Sequence, residues 1–151
     1  MSTVTVLGSG GWGIALALAL NNNGNKVVVW SAFEDEIAAL RRDRESKKLL
    51  AGVKIPESIE LTTSLDSVPM SDIVVFAVPS FAIRETAKRI KDCIKPETVI
   101  VNVAKGVEND TLLCLADVIQ SEIPNNKIAV LSGPSHAEEV ARNMATSVVA
   151  G

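Results

Sequence analysis

The segment that organises this chain lies near its start and runs Val4-Thr5-Val6-Leu7-Gly8-Ser9-Gly10-Gly11-Trp12-Gly13. Its first four residues predict a β-strand that stops at Gly8, and the residues from Gly8 to Gly13 have the pattern G-x-G-x-x-G. Gly8 permits a tight turn, Gly10 lets the backbone approach a pyrophosphate, and Gly13 lets the next helix pack closely on the sheet. Free N–H groups at the start of that helix attract phosphate. Between a strand and a helix, the pattern favours a dinucleotide site over a purely structural glycine turn.

Predicted strands and helices alternate along the rest of the chain. Strands are predicted at residues 4–7, 26–30, 59–62, 73–78, 99–103, 127–131 and 146–150, and helices at 12–23, 33–48, 82–94, 111–122 and 137–143. Such alternation produces a parallel sheet covered by helices on both faces. We therefore predict a single α/β domain of the Rossmann type, with a doubly wound parallel sheet, over residues 1–151. Ligands of such sheets bind beyond the carboxyl ends of the strands.

Composition narrows the class of protein. Hydrophobic residues make up 47% and charged residues 22% of the 151 residues, which indicates one globular domain rather than a disordered tail. The net charge is −3 and no long basic run is present, so we expect neither nucleic acid binding nor membrane insertion. The apolar run from Ile14 to Leu20 is far shorter than the roughly 20 residues that span a bilayer. No hydrophobic leader is recognised at the start, and we expect a cytoplasmic protein.

The sequence gives no reason to expect a metal site. Cys93 and Cys114 stand 21 positions apart without the spacing of a disulfide framework or a metal site, so we interpret them as core thiols in a reducing compartment. His136 is the single histidine. The chain also stops within the strand predicted at residues 146–150, so we expect it to be an excised part of a longer protein.

The end of the second predicted strand leaves the choice between NAD and NADP open. A dinucleotide fingerprint places an acid there, roughly 20 residues after the glycines, to hold the adenosine ribose. This chain has Trp30-Ser31-Ala32, with neither a carboxylate nor an arginine for a 2′-phosphate. Glu34 and Asp35 come later and suit the start of the next helix. The Ser31 hydroxyl is able to bond either a ribose or a 2′-phosphate.

A lysine loop and a serine-rich loop follow the later strands at the same edge of the sheet. Lys105 comes directly after Val103-Ala104, where its ammonium is placed to hold a substrate phosphate or polarise an oxygen. A solvated loop lysine is the alternative. Likewise, Ser80 and Phe81 either line the cofactor cleft or form a plain turn between strand and helix.

The serine-rich loop, Ser132-Gly133-Pro134-Ser135-His136, has two interpretations. It forms either a second anion site or only the capped start of a helix. In the second case, Ser135 and Glu138 match a capping box and Pro134 lies in the first helical turn. His136 is a candidate general base, since histidine often has that role, but packing at a helix start is commoner for such a histidine.

Three blocks of the sequence resemble the NAD(P)-dependent glycerol-3-phosphate dehydrogenases, especially the bacterial ones. They are Gly8-Ser9-Gly10-Gly11-Trp12-Gly13-Ile14-Ala15-Leu16-Ala17, Val103-Ala104-Lys105-Gly106-Val107-Glu108 and Leu131-Ser132-Gly133-Pro134-Ser135-His136-Ala137-Glu138-Glu139-Val140, with Val78-Pro79-Ser80 as a lesser agreement. The last block is the most specific, because generic Rossmann domains do not share it. The family interconverts dihydroxyacetone phosphate and sn-glycerol 3-phosphate by hydride transfer with NAD(P)H, which feeds glycerophospholipid synthesis.

The resemblance assigns roles to individual positions. Together with the glycine motif it implies that the cofactor contacts are Gly8, Gly10, Gly11, Trp12, Gly13, Ser31, Ala32, Lys105 and Ala137. The substrate contacts that it implies are Lys105, Gly133 and Ser135. Relatives commonly have Ser at position 11, so Gly11 removes a hydroxyl contact but keeps the backbone N–H groups. Some relatives have a basic residue at position 32, so Ala32 leaves a preference for NADP undecided.

The resemblance places no catalytic acid/base within this chain. In the family the acid/base is a lysine of a helical carboxy-terminal domain. A homodimer would also form through that domain. We therefore expect Lys105 to give electrostatic help only, and this chain alone to bind cofactor weakly and not to turn over.

Two other functions fit part of the sequence. One is a dehydrogenase of the β-hydroxyacid or ketopantoate reductase type with the same first domain, against which the serine-rich loop argues. The other is a non-catalytic module that binds NAD(H) and signals to a partner. Lys105 argues mildly against such a sensor, which has no need of an ammonium for a substrate. A pure interaction domain would leave the glycine loop unexplained.

Overall fold

Seven strands form one sheet in the computed structural model, which describes residues 1–151. The strands are β1 (Thr3–Leu7), β2 (Lys26–Trp30), β3 (Glu60–Thr62), β4 (Ile73–Phe76), β5 (Val99–Asn102), β6 (Ile128–Ser132) and β7 (Val149–Ala150). The helices are α1 (Gly11–Asn22), α2 (Glu34–Asp43), α3 (Ile83–Ile90), α4 (Leu115–Glu122) and α5 (Ala137–Ala141), with short 3-10 turns at Val68–Met70 and Ser80–Ala82. None of the helices is long and apolar enough to span a bilayer.

The strand order is β3-β2-β1-β4-β5-β6-β7, and every pair except the last is parallel. The first six strands have the order of a doubly wound dinucleotide-binding sheet, in which the direction of winding reverses between β1 and β4. The predicted Rossmann-type fold is therefore confirmed. The switch point lies where the glycine loop leaves β1.

A separate apolar core covers each face of the sheet. On one face, Val4 and Val6 of β1 pack with Ile14 of α1 and Ile37 of α2. On the other, Leu7 and strands β4 and β5 pack against α3 and α4. Strands enclosed on both sides have little contact with water, which explains why their sequences are nearly continuous runs of β-branched residues. These two cores hold the carboxyl ends of the central strands in place.

The last strand corrects the prediction of a wholly parallel sheet. β7 contains only Val149–Ala150 and pairs antiparallel with the end of β6, Leu131 opposite Ala150 and Ser132 opposite Val149. The five-residue helix α5 keeps the chain at the carboxyl edge of the sheet. A strand that starts at the edge where the previous one finished must run in the opposite direction.

Four helices are shorter than predicted: α3 ends at Ile90 rather than at residue 94, α5 ends at Ala141 rather than at residue 143, and the other two are α2 and α4. α2 ends at Asp43 rather than at residue 48, because Arg44 takes a left-handed conformation with φ 47° that closes the helix. α4 begins at Leu115 rather than at residue 111, because Leu112 has a φ of 58° and Val107 pairs with Cys114 in an isolated bridge. The sequence periodicity continues through both points, so it does not mark these boundaries.

Both cysteines lie at the surface and are free, so their interpretation as core thiols is wrong. Cys93 lies in the turn that follows α3, and Cys114 directly precedes α4. Neither position belongs to a helix or strand face that packs on the sheet.

Candidate functional site

A cavity of about 1050 Å³ opens at the carboxyl ends of the central strands, as the switch-point rule requires. Most of the residues expected to contact the cofactor or substrate line it: Gly8, Gly10, Gly11, Trp12, Ser31, Ala32, Lys105, Ser135 and Ala137. Gly13 and Gly133 are not part of the lining. Both lie behind the lining, where a side chain would collide with a backbone oxygen.

The glycine loop has the steric features that its sequence pattern predicts. Gly8 has a φ of +127°, and a Cβ there would lie 2.6 Å from the carbonyl oxygen of Ala77. A Cβ on Gly13 would lie 2.1 Å from the carbonyl oxygen of Gly8, so α1 rests directly on the end of β1. A Cβ on Gly10, in contrast, would meet no atom within 4 Å. The loop is closed towards the protein at Gly8 and Gly13 and open towards the cavity at Gly10.

The start of α1 is available to a ligand. Its N-cap is Gly10, no side chain caps it, and no acidic residue occupies its first turn. The first N–H groups of a helix have no partner within the helix and carry the positive end of its dipole. An anion beside Gly10 would therefore find free donors at the start of α1.

A carboxylate reaches the glycine loop from α2, and the sequence analysis missed it. Glu36 Oε2 accepts hydrogen bonds from Ser9 Oγ (2.8 Å) and from Ser31 Oγ (2.9 Å), and Glu36 lines the cavity. The strand end itself has no acid, and Glu34 and Asp35 occupy the first turn of α2 as predicted. Glu36 stands 23 residues after Gly13, close to the spacing at which a fingerprint acid is expected. That spacing was the signal that could have identified it.

The lysine loop and the serine-rich loop contact each other. Lys105 Nζ donates a hydrogen bond to the carbonyl oxygen of Gly133 at 3.1 Å. The exposed ammonium thus lies between the ends of β5 and β6, on the wall of the cavity. Lys105 is exposed, as the alternative of a solvated loop lysine requires, but its ammonium joins two loops.

An ion cluster fixes the segment that follows Lys105. Arg84 of α3 binds Glu108 through two hydrogen bonds of 2.7 Å and Glu122 of α4 through one of 2.6 Å. These bonds from Arg84, together with one from Thr111 Oγ1, lower the pKa of Glu108 to about 2. The lysine loop is therefore tied to two helices on the other face of the sheet.

The serine-rich loop is not the capped helix start that its sequence suggests. α5 begins at Ala137 with His136 as N-cap, and no side chain caps it, so the predicted capping box of Ser135 and Glu138 does not form. Pro134 lies before the helix rather than in its first turn. The reason is Gly133, whose φ of +150° and bond from Ser135 N–H to its carbonyl oxygen turn the chain before the helix starts.

Neighbouring positions in this loop have different surroundings. Ser135 and Ala137 line the cavity, and Ala137 Cβ lies 3.7 Å from where a Cβ on Gly11 would stand. The starts of α1 and α5 are therefore adjacent. His136 is exposed, does not line the cavity and makes no side-chain hydrogen bond, so nothing in its geometry supports a role as general base.

Aromatic rings form part of the cavity wall. Phe33 and Phe81 are 65% and 80% exposed, unusual for phenylalanine, and both line the cavity. Exposed rings beside a cavity are suited to stacking against a planar ligand. Phe81 was anticipated from the sequence, whereas Phe33 was not. Ser80, its expected companion, lies outside the lining.

Comparison with known proteins gives a consistent result. Residues 3–151 match the family model described as the NAD-dependent glycerol-3-phosphate dehydrogenase N-terminus. The chain is 48% identical over 152 residues to a glycerol-3-phosphate dehydrogenase (NAD(P)+) of Agathobacter rectalis, with all of this chain and 45% of that protein covered. A crystal structure of glycerol-3-phosphate dehydrogenase from Coxiella burnetii superposes with a TM-score of 0.90 at 34% identity, covering 97% of this chain and 45% of the other.

A more distant likeness bears on one alternative function. A ketopantoate reductase from Ralstonia eutropha superposes with a TM-score of 0.68 at 19% identity, covering 86% of this chain and 41% of the other. Similarity at that level reports the fold alone. The chain spans about half the length of the curated relatives it matches.

Proposed function

Because this chain belongs to the NAD-dependent glycerol-3-phosphate dehydrogenase family, we propose that it is the cofactor-binding domain of an enzyme that interconverts sn-glycerol 3-phosphate and dihydroxyacetone phosphate. The observation that carries the proposal is the meeting of three loops at one cavity. The glycine loop provides an open anion site, and Lys105 and the serine-rich loop face it from the ends of β5 and β6.

The residues around the glycine loop fit a dinucleotide. The open space beside Gly10 lets a pyrophosphate approach the backbone, and the uncapped start of α1 supplies donors to it. Ser31 and Ala32 lie at the end of β2, where the adenosine half belongs in this fold. Gly11, Trp12 and Ala137 complete this side of the cavity. When bound, NAD(P)H supplies the hydride that reduces the substrate carbonyl.

Lys105, Gly133 and Ser135 are the proposed substrate contacts. A carbonyl oxygen that receives a hydride at its carbon gains negative charge, and a fixed ammonium nearby stabilises that charge. The same ammonium is suited to a phosphate group. Lys105 is held by the carbonyl of Gly133, so its position is set before a substrate arrives. The Ser135 hydroxyl lies on the same wall, where it is free to donate to a substrate oxygen.

The cofactor site is tested by calorimetric titration with NADH and NADPH, on the wild-type protein and on Gly10→Val. We expect binding to be lost in Gly10→Val, because the side chain would fill the space that the pyrophosphate needs. The variant should remain folded, since its Cβ meets no protein atom and Gly10 has an extended backbone that valine also adopts. Circular dichroism melting provides the folding control.

The substrate is tested by following NAD(P)H oxidation by the full-length enzyme with dihydroxyacetone phosphate. Ketopantoate serves as the comparison substrate. Turnover of dihydroxyacetone phosphate supports the proposal. Turnover of ketopantoate alone, or failure of the full-length wild type to bind either cofactor, would contradict it.

A further inference from the structure

The order of residues at the end of β2 suggests no acid for a ribose, yet the folded chain places one beside the glycine loop. Glu36 projects from the first turn of α2, and its Oε2 accepts from Ser9 of the glycine loop and from Ser31 of the β2 end. Both serines are buried. The carboxylate therefore bridges the two elements between which the adenosine half of a dinucleotide lies in this fold.

Only one oxygen of this carboxylate is used by the protein. No protein group donates a hydrogen bond to Glu36 Oε1, and no ion pair involves Glu36. Glu36 lines the cavity, so Oε1 has access to a ligand there. An ionised carboxylate only accepts hydrogen bonds, and a ribose hydroxyl is a donor.

We propose that Glu36 accepts a hydrogen bond from the 2′-hydroxyl of the adenosine ribose and thereby selects NAD(H) over NADP(H). This inference rests on the proposed function, since it concerns the same cofactor site. Glu36 then decides the cofactor preference that the strand-end residues Ser31 and Ala32 leave open.

Charge is the reason for the selection. A 2′-phosphate carries close to two negative charges at neutral pH and would lie against a carboxylate that forms no ion pair. The hydroxyl hydrogens of Ser9 and Ser31 are not available to the phosphate, because both already donate to Glu36. A ligand that places a like charge beside a fixed one is rejected even where its other contacts are good.

The neighbouring acids do not share this position. Glu34 accepts from Thr63 Oγ1 at 2.8 Å and lies 3.8 Å from Arg41, so it is directed towards β3. Asp35 lines the same cavity but has no hydrogen bond to a serine. Glu34 thus offers a matched control, with a carboxylate in the same helical turn, outside the cavity lining and without the bridging contacts.

The test compares the dissociation constants of NADH and NADPH for the wild type, Glu36→Gln and Glu34→Gln, measured by calorimetric titration. We expect the wild type to bind NADH at least about tenfold more tightly than NADPH. Glu36→Gln should reduce that ratio by about tenfold, mainly through tighter binding of NADPH, because the amide keeps its hydrogen bonds and loses its charge. Glu34→Gln should leave the ratio within about twofold of the wild type, because Glu34 lies outside the cavity lining.

The possible results separate the two proposals. A wild type that prefers NADPH, or a Glu36→Gln variant with an unchanged ratio, overturns the inference and leaves the cofactor site standing. A wild type that binds neither cofactor contradicts the proposed function itself. Glu36→Ala, which removes the hydrogen bonds as well as the charge, should change the ratio in the same direction, so a folding defect in one variant does not decide the result.

Discussion

Two loops frame the cavity, and in both a strand turns into a helix at a glycine with a positive φ. Gly8 has φ +127° and Gly133 has φ +150°, and a Cβ at either position would lie under 3.0 Å from a backbone oxygen. Their surroundings differ. The Gly8 loop leaves the fully buried residues of β1 and enters the 12-residue helix α1, whereas the Gly133 loop follows a strand with no buried residue and enters the 5-residue helix α5.

The difference concerns what holds each loop in place. The first loop is pressed between α1, β1 and β4, so its geometry follows from the packing of an apolar core. The second is held by polar and backbone contacts, among them the bond from Lys105 and the approach of Ser147 to Gly133. A core-held loop is difficult to displace, whereas a loop held by partly exposed contacts can yield.

The largest effect on stability is expected for Gly13→Ala, which disturbs the glycine loop that the apolar core holds. The new Cβ would lie 2.1 Å from the Gly8 carbonyl oxygen, and neither α1 nor β1 can move without disturbing the core. We expect a loss of about 3 kcal/mol in the free energy of unfolding, measured by urea denaturation. Gly10→Ala is the control and should cost about 1 kcal/mol or less. Equal losses in the two variants would show that packing does not fix this loop.

Gly133→Ala should have a smaller effect of the same kind. Its Cβ would lie 2.8 Å from the Ser147 carbonyl oxygen, but Ser147 belongs to a segment with little burial and has room to shift. We expect a loss of about 1–2 kcal/mol, owing mainly to the strained φ. The same urea measurement applies. A loss as large as that of Gly13→Ala would remove the distinction between the two loops.

The strands and the glycine loop that the apolar core holds were predicted well from the sequence. Strand β2 was predicted with its observed bounds, Lys26–Trp30, because a strand buried on both faces is a run of β-branched residues. The steric roles of Gly8 and Gly13 also follow from spacing alone. In each case a local pattern reports a constraint that the core imposes on that same segment.

The rest of the site depends on contacts between distant segments, which local patterns do not contain. The position of Glu36 follows from how α2 lies beside β2 and the glycine loop. The failure of the capping box at Ser135 follows from the turn at Gly133, and the early end of α2 follows from the left-handed Arg44. The direction of β7 is set by α5, which leaves the chain at the carboxyl edge of the sheet where β7 begins.

Acid should lower the stability of the fold by protonating Glu108, whose carboxylate binds Arg84. Hydrogen bonds from Arg84 and Thr111 lower the pKa of Glu108 to about 2, below its ordinary value of about 4.5. A group whose pKa is lower in the folded protein stabilises the fold above its unfolded pKa and loses that contribution as the pH falls towards the folded one. The contribution of Glu108 is therefore complete above about pH 4.5 and disappears towards pH 2.

Melting temperatures between pH 7 and pH 3 test this expectation. Glu108→Gln should melt below the wild type at pH 7, and the difference should narrow as the pH falls below 4.5. Glu85→Gln serves as the control, because its pair with Lys88 is exposed and stabilises little. A difference that stays constant down to pH 3 would mean that the charge of Glu108 does not secure the segment after Lys105.

The smallest effect on stability is expected at Lys105, which we propose stabilises negative charge on the substrate. Lys105→Met removes one exposed hydrogen bond to Gly133, so the free energy of unfolding should change by no more than about 0.5 kcal/mol. In the full-length protein the rate of the proposed reduction of dihydroxyacetone phosphate should nevertheless fall by about 100-fold, because the proposed fixed charge beside the developing alkoxide is lost. Lys91→Met, at an exposed lysine outside the cavity lining, should change neither quantity. A stable Lys105→Met enzyme that retains its rate would mean that the contact with Gly133 only joins the two loops. A large loss of stability would mean instead that the bond from Lys105 holds the serine-rich loop as firmly as the core holds the glycine loop.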